Sequence, residues 1–225
     1  MAARRMTLVF DLDGTLVDSV YQHVVAWHHA LLEVGIELSL WRIHRRIGMS
    51  GGLFTRALLR ETGREFDPEL LERLRHAHAE AYNRLSGDVQ PLPGAVALLA
   101  RLTAIGCPWG IATSGRMETA APVIAKLGVP EGVPIITRDM VAHAKPDPDL
   151  FLAAIDRLGV EPGEVYVVGD SVWDLLAARR AGTLGIGVLS GGYGTEELER
   201  AGAYRVYDDP AMLLAHLDEL GVREG

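Results

Sequence analysis

The chain has 225 residues, enough for one sizeable domain or for a core domain that carries a smaller insertion. Its 30 acidic residues outnumber the 22 Lys plus Arg, and the formal charge of −8 argues against nucleic acid as a partner. A single cysteine, Cys107, excludes an intramolecular disulfide. Because there is neither an export signal nor a run of 18 apolar residues, we expect a cytoplasmic protein with no membrane partner.

The first predicted element is a short apolar strand, Thr7–Phe10, which ends at a pair of aspartates. Asp11 and Asp13 stand two residues apart directly after it, and Gly14 permits a tight turn. In an open α/β sheet, ligands bind beyond the carboxyl ends of the strands, so both carboxylates are candidate site residues. Asp-Gly is also a common turn pair, and this motif alone is equally compatible with a simple turn.

Only helices are predicted between this strand and Pro91, because apolar residues recur there at a spacing near 3.6 over roughly 70 residues. We interpret residues 19–89 as a small α-helical cap domain inserted into a core of residues 1–18 and 90–225. The two connections between the domains suggest a hinge that closes over a substrate. Within the insertion, Leu38–Arg60 contains arginines and no acidic residue, which favours either an anionic substrate nearby or a solvated basic face.

Strands and helices alternate through the rest of the chain, a pattern typical of a parallel sheet. We therefore predict an α/β fold with a doubly wound, Rossmann-like parallel sheet and the helical cap as its insertion. The further predicted strands are Trp109–Ala112, Pro134–Thr137, Val165–Val168, Leu184–Leu189 and Tyr204–Tyr207, and the predicted core helices are Ala95–Ile105, Glu118–Leu127, Asp149–Leu158, Trp173–Ala181 and Pro210–Leu220.

Three more groups of polar residues follow or lie close to predicted strand ends. Thr113–Gly115 ends the second strand, Lys145 precedes a proline, and Asp170 and Asp174 follow the fourth strand. Each group also has a purely structural interpretation as a turn or helix cap; Ser171 and Asp174, for example, have the spacing of a capping box.

Taken together, these groups complement one another chemically, because all would meet at one edge of the sheet. Neighbouring carboxylates repel each other unless a cation is present, and oxygen ligands favour a hard ion such as Mg²⁺. A lysine and the backbone N–H groups of a helix start supply the positive field that a phosphoryl group requires. The pattern thus indicates phosphoryl-transfer chemistry.

In this order and spacing the motifs resemble the haloacid dehalogenase superfamily. Its four motifs correspond to Asp11-Leu-Asp13-Gly-Thr, Ile-Ala-Thr113, Lys145-Pro, and Gly-Asp170 with Asp174 four residues later. The resemblance extends over nearly the whole chain, including the helical cap. Within the superfamily it is closest to the branch that contains phosphoglycolate phosphatase and β-phosphoglucomutase.

This resemblance implies a role for each matching residue. Asp11 would attack phosphorus, Asp13 would act as general acid and base, and Lys145 would hold the nucleophile and the phosphoryl group together. Mg²⁺ would be the cofactor, and its ligands would be the Asp11 carboxylate, the backbone carbonyl of Asp13, Asp170 and, directly or through water, Asp174. Asp174 could instead serve only as a helix cap. The implied catalytic residues are Asp11, Asp13, Thr113 and Lys145, and the implied substrate-binding residues are Ser114, Gly115, Arg116 and His23.

The cap carries two signals that concern the substrate. His23 and Trp27 have the spacing of a cap histidine and tryptophan in β-phosphoglucomutase-like proteins, which implies substrate contact for His23. The mutase's cap arginine after Gly-x-Ser is replaced by Gly51, and this loss favours hydrolysis over mutase chemistry. Arg116 could contact phosphate or could be an exposed first-turn arginine. The other histidines, His78 among them, are interpreted as surface or packing residues.

The first hypothesis is therefore a Mg²⁺-dependent phosphomonoester hydrolase, similar to phosphoglycolate phosphatase, with a small-molecule phosphate ester as its partner. The alternatives are a β-phosphoglucomutase-like mutase and a noncatalytic phosphate-binding module. Asp13 argues against the dehalogenases, which lack this second aspartate, and the absence of a lysine from the insertion argues against phosphonate cleavage. The sequence leaves the oligomeric state open between monomer and dimer.

Overall fold

The centre of the fold is a parallel β-sheet that brings the carboxyl ends of its strands to one edge. The computed structural model describes residues 6–63 and 67–222. In these residues the sheet has six parallel strands in the order β3-β2-β1-β4-β5-β6. The strands are β1 (Thr7–Phe10), β2 (Trp109–Ala112), β3 (Ile135–Ile136), β4 (Val165–Gly169), β5 (Leu184–Val188) and β6 (Ala203–Tyr207).

Helices cover both faces of the sheet, so the central strands are buried on both sides. Successive side chains of β1 alternate between two hydrophobic cores: Leu8 and Phe10 belong to one, and Val9 packs with Phe151 in the other. This arrangement confirms the predicted doubly wound α/β fold. The covering helices are α5 (Ala95–Ala104), α6 (Met117–Ile124), α7 (Asp149–Leu158), α8 (Val172–Ala181), α9 (Thr195–Ala201) and α10 (Pro210–Ala215).

The insertion after β1 consists of helices and turns in its described residues and has a hydrophobic core of its own. Trp27, Phe54, Leu58 and Leu74 are buried together in this core, apart from the two cores of the sheet. The stretch from 19 to 89 therefore has the character expected of a helical cap, although its boundaries stay a prediction. Its helices are α1 (Val20–Glu33), α2 (Leu40–His44), α3 (Gly51–Glu61) and α4 (Pro68–Leu85).

The predicted core elements are confirmed, with one helix missed and with differences at the ends of helices and strands. The predicted strand Pro134–Thr137, for example, is reduced to Ile135–Ile136. The predicted Glu118–Leu127 helix changes to a 3-10 turn after Ile124, two residues beyond the internal Pro122, which cannot donate a backbone hydrogen bond. The predicted Pro210–Leu220 helix is likewise split, with α10 followed by a 3-10 turn. Helix α9 was missed because it is short and polar and buries only Leu198, which leaves little periodic signal. No helix in the described ranges has the length and apolar character needed to cross a membrane.

Candidate active site

The residues predicted from the four sequence motifs meet at the carboxyl edge of the sheet. Asp11 follows β1, Thr113 follows β2 and Asp170 follows β4, while Lys145 comes from the loop before α7. All four side chains are buried. Because β1 lies between β2 and β4, the strand order alone brings Asp11 between the other two.

Lys145 is a fully buried cation that joins two carboxylates. Its Nζ donates to Oδ1 of Asp11 and lies 2.8 Å from Oδ1 of Asp174. Burial disfavours the ammonium, but the two adjacent carboxylates raise the pKa of Lys145 above its ordinary value. The lysine therefore stays charged and fixes Asp11 in one position.

Three buried carboxylates form a cluster with the chemistry of a divalent-cation site. Oxygen atoms of Asp11, Asp170 and Asp174 all lie within 4.8 Å of one another. Burial raises the pKa of Asp11 to about 7 and that of Asp170 well above its usual range, and the Asp174 charge adds to both shifts although Lys145 opposes them. One ammonium does not neutralise three carboxylates, so the donor set fits a hard cation that would keep them ionised.

Asp174 caps α8 and also lies in the acidic cluster. Its Oδ2 accepts the backbone N–H of Ser171 at 3.1 Å, and the Ser171 hydroxyl accepts the N–H of Asp174, so the predicted capping box of α8 is present. Its Oδ1 faces Lys145. One carboxylate thus starts the helix and also belongs to the acidic cluster.

Glycines allow the backbone to pack directly against Asp170. A Cβ on Gly191 would lie 1.7 Å from Oδ2 of Asp170, and one on Gly14, whose φ is +79°, would lie 2.7 Å from the same atom. The Thr15 hydroxyl donates to Oδ1 of Asp170 at 3.3 Å. The carboxylate is therefore confined on several sides, and its position depends on these small residues.

The Asp13 carboxylate lies outside this cluster and is held by the insertion. Its Oδ1 accepts the Ser19 hydroxyl at 2.5 Å and lies 3.2 Å from Nε2 of His23. Burial opposes ionisation, but the charge and hydrogen bond of His23, together with Ser19, lower the pKa of Asp13. The side chain of Asp13 is thus held by residues of the insertion and is not part of the acidic cluster.

His23 belongs to an aromatic stack that the sequence analysis did not anticipate. Its ring lies parallel to that of Tyr82 with centroids 3.9 Å apart, and its Nδ1 lies 3.2 Å from Nε2 of His78. His78 also stacks on Trp27 at 4.2 Å. The interpretation of His78 as an ordinary surface or packing residue is incomplete, because it lines the central cavity. The spacing of Arg75, His78 and Tyr82, three and then four residues, places them on one face of α4 and was the available signal.

The loop that follows β2, Thr113–Gly115, lines the same cavity. The N–H of Gly115 donates to Oγ1 of Thr113 at 2.9 Å, and the Ser114 hydroxyl donates to the backbone carbonyl of Gly48 in the insertion at 3.1 Å. Arg116 pairs with Asp139 at 2.8 Å. Ser114 therefore joins the core to the insertion, and Arg116 combines an ion pair with a position on the cavity wall.

A cavity of about 190 Å³ lies between the insertion and the carboxyl edge of the sheet. Both halves of the molecule line it, the core with Asp11, Asp13 and Thr113 and the insertion with His23 and Trp27. Its volume is below the range of about 300–1,000 Å³ that is usual for ligand pockets, so it has room only for a very small molecule. The arginines that line it are Arg46, Arg75, Arg116 and Arg138, of which sequence reasoning proposed only Arg116 as a site residue.

The arginines of Leu38–Arg60 do not form a uniform basic surface over this cavity. Arg42 and Arg46 both pair with Glu61, and Arg45 pairs with Glu197 of the core. Of the segment's arginines, Arg46 lines the cavity. The acidic partners lie outside the segment, which is why the sequence window suggested a stronger basic character than the fold has.

Comparison with known proteins identifies the family. The model of the haloacid dehalogenase-like hydrolases matches residues 6–182, and this region contains every motif described above. The chain belongs to this family. The superfamily that the motifs indicated is thus confirmed by a match over most of the chain.

Similar proteins of the haloacid dehalogenase-like family carry phosphatase names. A phosphoglycolate phosphatase of Rhodospirillum rubrum is 34% identical, over 92% of this chain and 88% of its own length. Hexitol phosphatase A of Escherichia coli is also 34% identical, over 77% of this chain and 78% of its own. The crystal structure of a hydrolase from Pseudomonas syringae is 53% identical, with a TM-score of 0.93 over 96% of this chain and 99% of that one. The protein is therefore an enzyme, a phosphatase of the haloacid dehalogenase-like family.

Proposed function

We propose that this phosphatase is a Mg²⁺-dependent phosphomonoester hydrolase that acts on a small phosphorylated metabolite through an aspartyl-phosphate at Asp11. The observation that carries the proposal is the contact of Asp11 with the buried Lys145 at the floor of a small cavity. A carboxylate that is fixed by a buried cation is prepared for attack on phosphorus. The names of the similar proteins support a small ester such as phosphoglycolate as the substrate.

In the first half-reaction an oxygen of Asp11 forms a bond to phosphorus while the bond from phosphorus to the ester oxygen breaks. Asp13 gives its proton to the departing oxygen. The contacts of Ser19 and His23 hold Oδ1 of Asp13 in a defined position, but they also lower its pKa and favour the carboxylate. Asp13 must therefore take up a proton before this step, which the negative charge of a bound phosphate ester beside it would favour. Lys145 keeps the nucleophile in line with phosphorus.

In the second half-reaction water attacks phosphorus, Asp13 takes a proton from this water, and the bond between Asp11 and phosphorus breaks to release phosphate. The Thr113 hydroxyl and the backbone of Ser114 and Gly115 are proposed to bind the phosphoryl oxygens. The insertion would close the cavity against other water.

Mg²⁺ is the cation that we propose for the acidic cluster. Asp11, Asp170 and the backbone carbonyl of Asp13 would bind it, and Asp174 would contribute through water. When bound, it neutralises negative charge on the approaching carboxylate and phosphoryl group.

Residues 19–89 are proposed to act as the cap that closes on this site. Two contacts at the cavity support this role: the N–H of Ser50 donates to the carbonyl of Lys145 at 3.0 Å, and Ser114 donates to Gly48. These hydrogen bonds join the insertion directly to two of the predicted catalytic loops. Closure would then depend on the state of the phosphate site.

A mutase remains the second candidate because the cavity contains cap arginines despite the glycine at position 51. Arg75 reaches the cavity from α4 and Arg46 from the segment after α2. The missing arginine after Gly-x-Ser therefore does not by itself argue against binding of a second phosphate. Product analysis with β-glucose 1-phosphate separates the two, since a mutase yields glucose 6-phosphate and a hydrolase yields glucose and phosphate.

The test is phosphate release from p-nitrophenyl phosphate, phosphoglycolate and other metabolite esters, with Mg²⁺ or EDTA. Asp11→Asn should abolish release, whereas Asp18→Asn, which alters an exposed carboxylate close by in the chain, should not. Release that requires Mg²⁺ and Asp11 supports the proposal. A folded protein that releases no phosphate from any ester and forms no isomer would instead favour a noncatalytic phosphate-binding module.

A further inference from the structure

Three arginines from distant parts of the chain line the same cavity, and the charges of two of them act on the third. Arg75 lies on α4, Arg116 immediately precedes α6, and Arg138 lies in the turn after β3. All three line the cavity, and α4 contacts α6 across the boundary between insertion and core. The nucleophile Asp11 lines the same cavity.

The positive charge of this arginine cluster, Arg75, Arg116 and Arg138, is only partly compensated. Arg116 pairs with Asp139, and Arg75 pairs with Glu72, whose side chain is largely exposed. Arg138 donates to the backbone carbonyls of Val141 and Ala142, which carry no net charge. Among the residues that the structure describes, three cations thus face two carboxylates, and each guanidinium has further N–H groups to offer.

Arg75 has a buried donor that lacks a partner. Its Nε is inaccessible to solvent and makes no hydrogen bond to any described residue. A buried polar group left without a partner destabilises the folded protein. Burial and the like charges of Arg116 and Arg138 also lower the pKa of Arg75, which supports the proximity of the three groups. An anion placed among them would relieve both the repulsion and the unsatisfied donor.

The arginine cluster is distinct from the groups that hold the nucleophile. The charged groups that act most strongly on Asp11 are Lys145, Asp174 and Asp13. The charged groups that act on Arg75 are Arg116 and Arg138. A phosphoryl group over Asp11 would therefore use Lys145, and the cluster would be left for a second anionic group of the same small molecule.

We infer that the arginine cluster is a second anion subsite and that the enzyme selects phosphate monoesters that carry a further carboxylate or phosphate group. This inference rests on the proposed function, because it assigns the transferred phosphoryl group to Asp11. Guanidinium forks bind the oxygens of carboxylates and phosphates in the same bidentate manner, so both are members of the class. The cavity of about 190 Å³ restricts the remainder of the molecule to a small metabolite.

The test compares paired substrates with the Mg²⁺-loaded enzyme. One pair is 3-phosphoglycerate and glycerol 3-phosphate, which differ by a carboxylate; the other is β-glucose 1,6-bisphosphate and β-glucose 1-phosphate, which differ by a phosphate. Arg75→Gln should lower kcat/KM by 10- to 100-fold for the doubly anionic member that the enzyme prefers, and less than threefold for its partner. The pair with the larger loss identifies the second group as carboxylate or phosphate.

A matched control is Arg73→Gln, which removes an exposed arginine from the same helix and should change neither member of a pair. If Arg75→Gln does not fold, Arg75→Lys replaces it. This change keeps the charge but removes the guanidinium fork, so it should also lower kcat/KM more for the doubly anionic member of the pair than for its partner. Equal loss on both members of each pair, or no loss on either, would overturn the inference.

The inference can fail separately from the proposed function. If the wild-type protein hydrolyses none of these esters, the proposed function fails, and the subsite is then tested by titration calorimetry with the same pairs. At least tenfold tighter binding of the doubly anionic member, lost in Arg75→Gln, would support the subsite without turnover. Equal affinity for both members would reject it.

Discussion

The carboxylate of Asp170 leaves no room for a side chain at Gly191, and this close approach gives a sharp test of the site. The Cβ of an alanine would lie 1.7 Å from Oδ2 of Asp170, whereas contacts under 3.0 Å are essentially never found for real Cβ atoms. The two atoms must therefore move apart by at least about 1.3 Å. Gly191 does not have a positive φ, so an alanine there adds no backbone strain of that kind. A loss of activity would therefore come from the contact with Asp170.

The Asp170 carboxylate should be the part that moves. The loop of Gly191 is fixed by a hydrogen bond from Ser190 to the carbonyl of Gly14 at 2.6 Å and by a 2.7 Å contact between His44 and the carbonyl of Gly191. The Asp170 side chain has the longer 3.3 Å bond from Thr15. A displacement of about 1 Å in a catalytic constellation can cost roughly 100-fold in rate, and a change in the groups that orient a metal ligand costs about 10- to 100-fold in affinity.

We therefore expect Gly191→Ala to lower kcat/KM by about 100-fold and to raise the Mg²⁺ concentration for half-maximal activity at least tenfold. The assay is hydrolysis of p-nitrophenyl phosphate over a Mg²⁺ titration, at a temperature at which circular dichroism shows the variant to be folded. Gly163→Ala is the control, because nothing lies within 4 Å of a Cβ at that position. If Gly191→Ala keeps activity within threefold of wild type at every Mg²⁺ concentration, the close packing on Asp170 has no functional meaning.

Three further predictions concern the site and its surroundings. Ser171→Ala removes the capping hydroxyl beside Asp174 and should lower the free energy of unfolding by about 1 kcal/mol or more in urea titrations, and an unchanged midpoint would contradict the capping role. His78 has a pKa well below 6.5 in the folded state, because burial and then His23 disfavour its charged form, so the folded protein binds fewer protons there than the unfolded chain. Stability should therefore fall as the pH drops below about 6.5, and His78→Gln should reduce this fall in denaturant titrations at pH 5.5 and 7.5; an identical pH dependence would contradict the shift. For the ion pair of Arg45 with Glu197, a double-mutant cycle to alanine should give a coupling of about 0.2–1 kcal/mol that decreases in high salt, whereas no coupling at low salt would show that the pair does not help to hold the insertion on the core.

The α/β core and the floor of the site could be predicted because their signals are local and the topology then brings them together. Asp11 and Asp170 each stand directly after a short run rich in apolar residues, which favours a buried strand. In a parallel sheet, the carboxyl ends of the strands lie at one edge. Once the strands are predicted, the side chains that follow them are therefore predicted to lie at that edge. The capping box of Ser171 and Asp174 is readable for the same reason, since its spacing is three residues.

The contacts of the insertion could not be predicted in the same way, because they depend on how helices pack against one another. The periodicity of α4 indicates which face is buried, but not that His78 would meet His23 from α1. The acidic partners of Arg45 and Arg46 also come from outside the arginine-rich segment, and the segment's charge taken alone was misleading.

Substrate selection shows why a single motif position is weak evidence about specificity in this enzyme. Gly51 stands where a mutase would have an arginine, and this difference favoured hydrolysis. Arg75 nevertheless reaches the cavity from α4, 24 positions further along the chain. Arg116 and Arg138 line the same cavity from the core, and α4 contacts α6 beside Arg116, so no local pattern contains the three together. An anion responds to the positions of the charged groups and not to the helix that supplies them. The choice between a singly and a doubly anionic ester therefore depends on the packing of the insertion against the core.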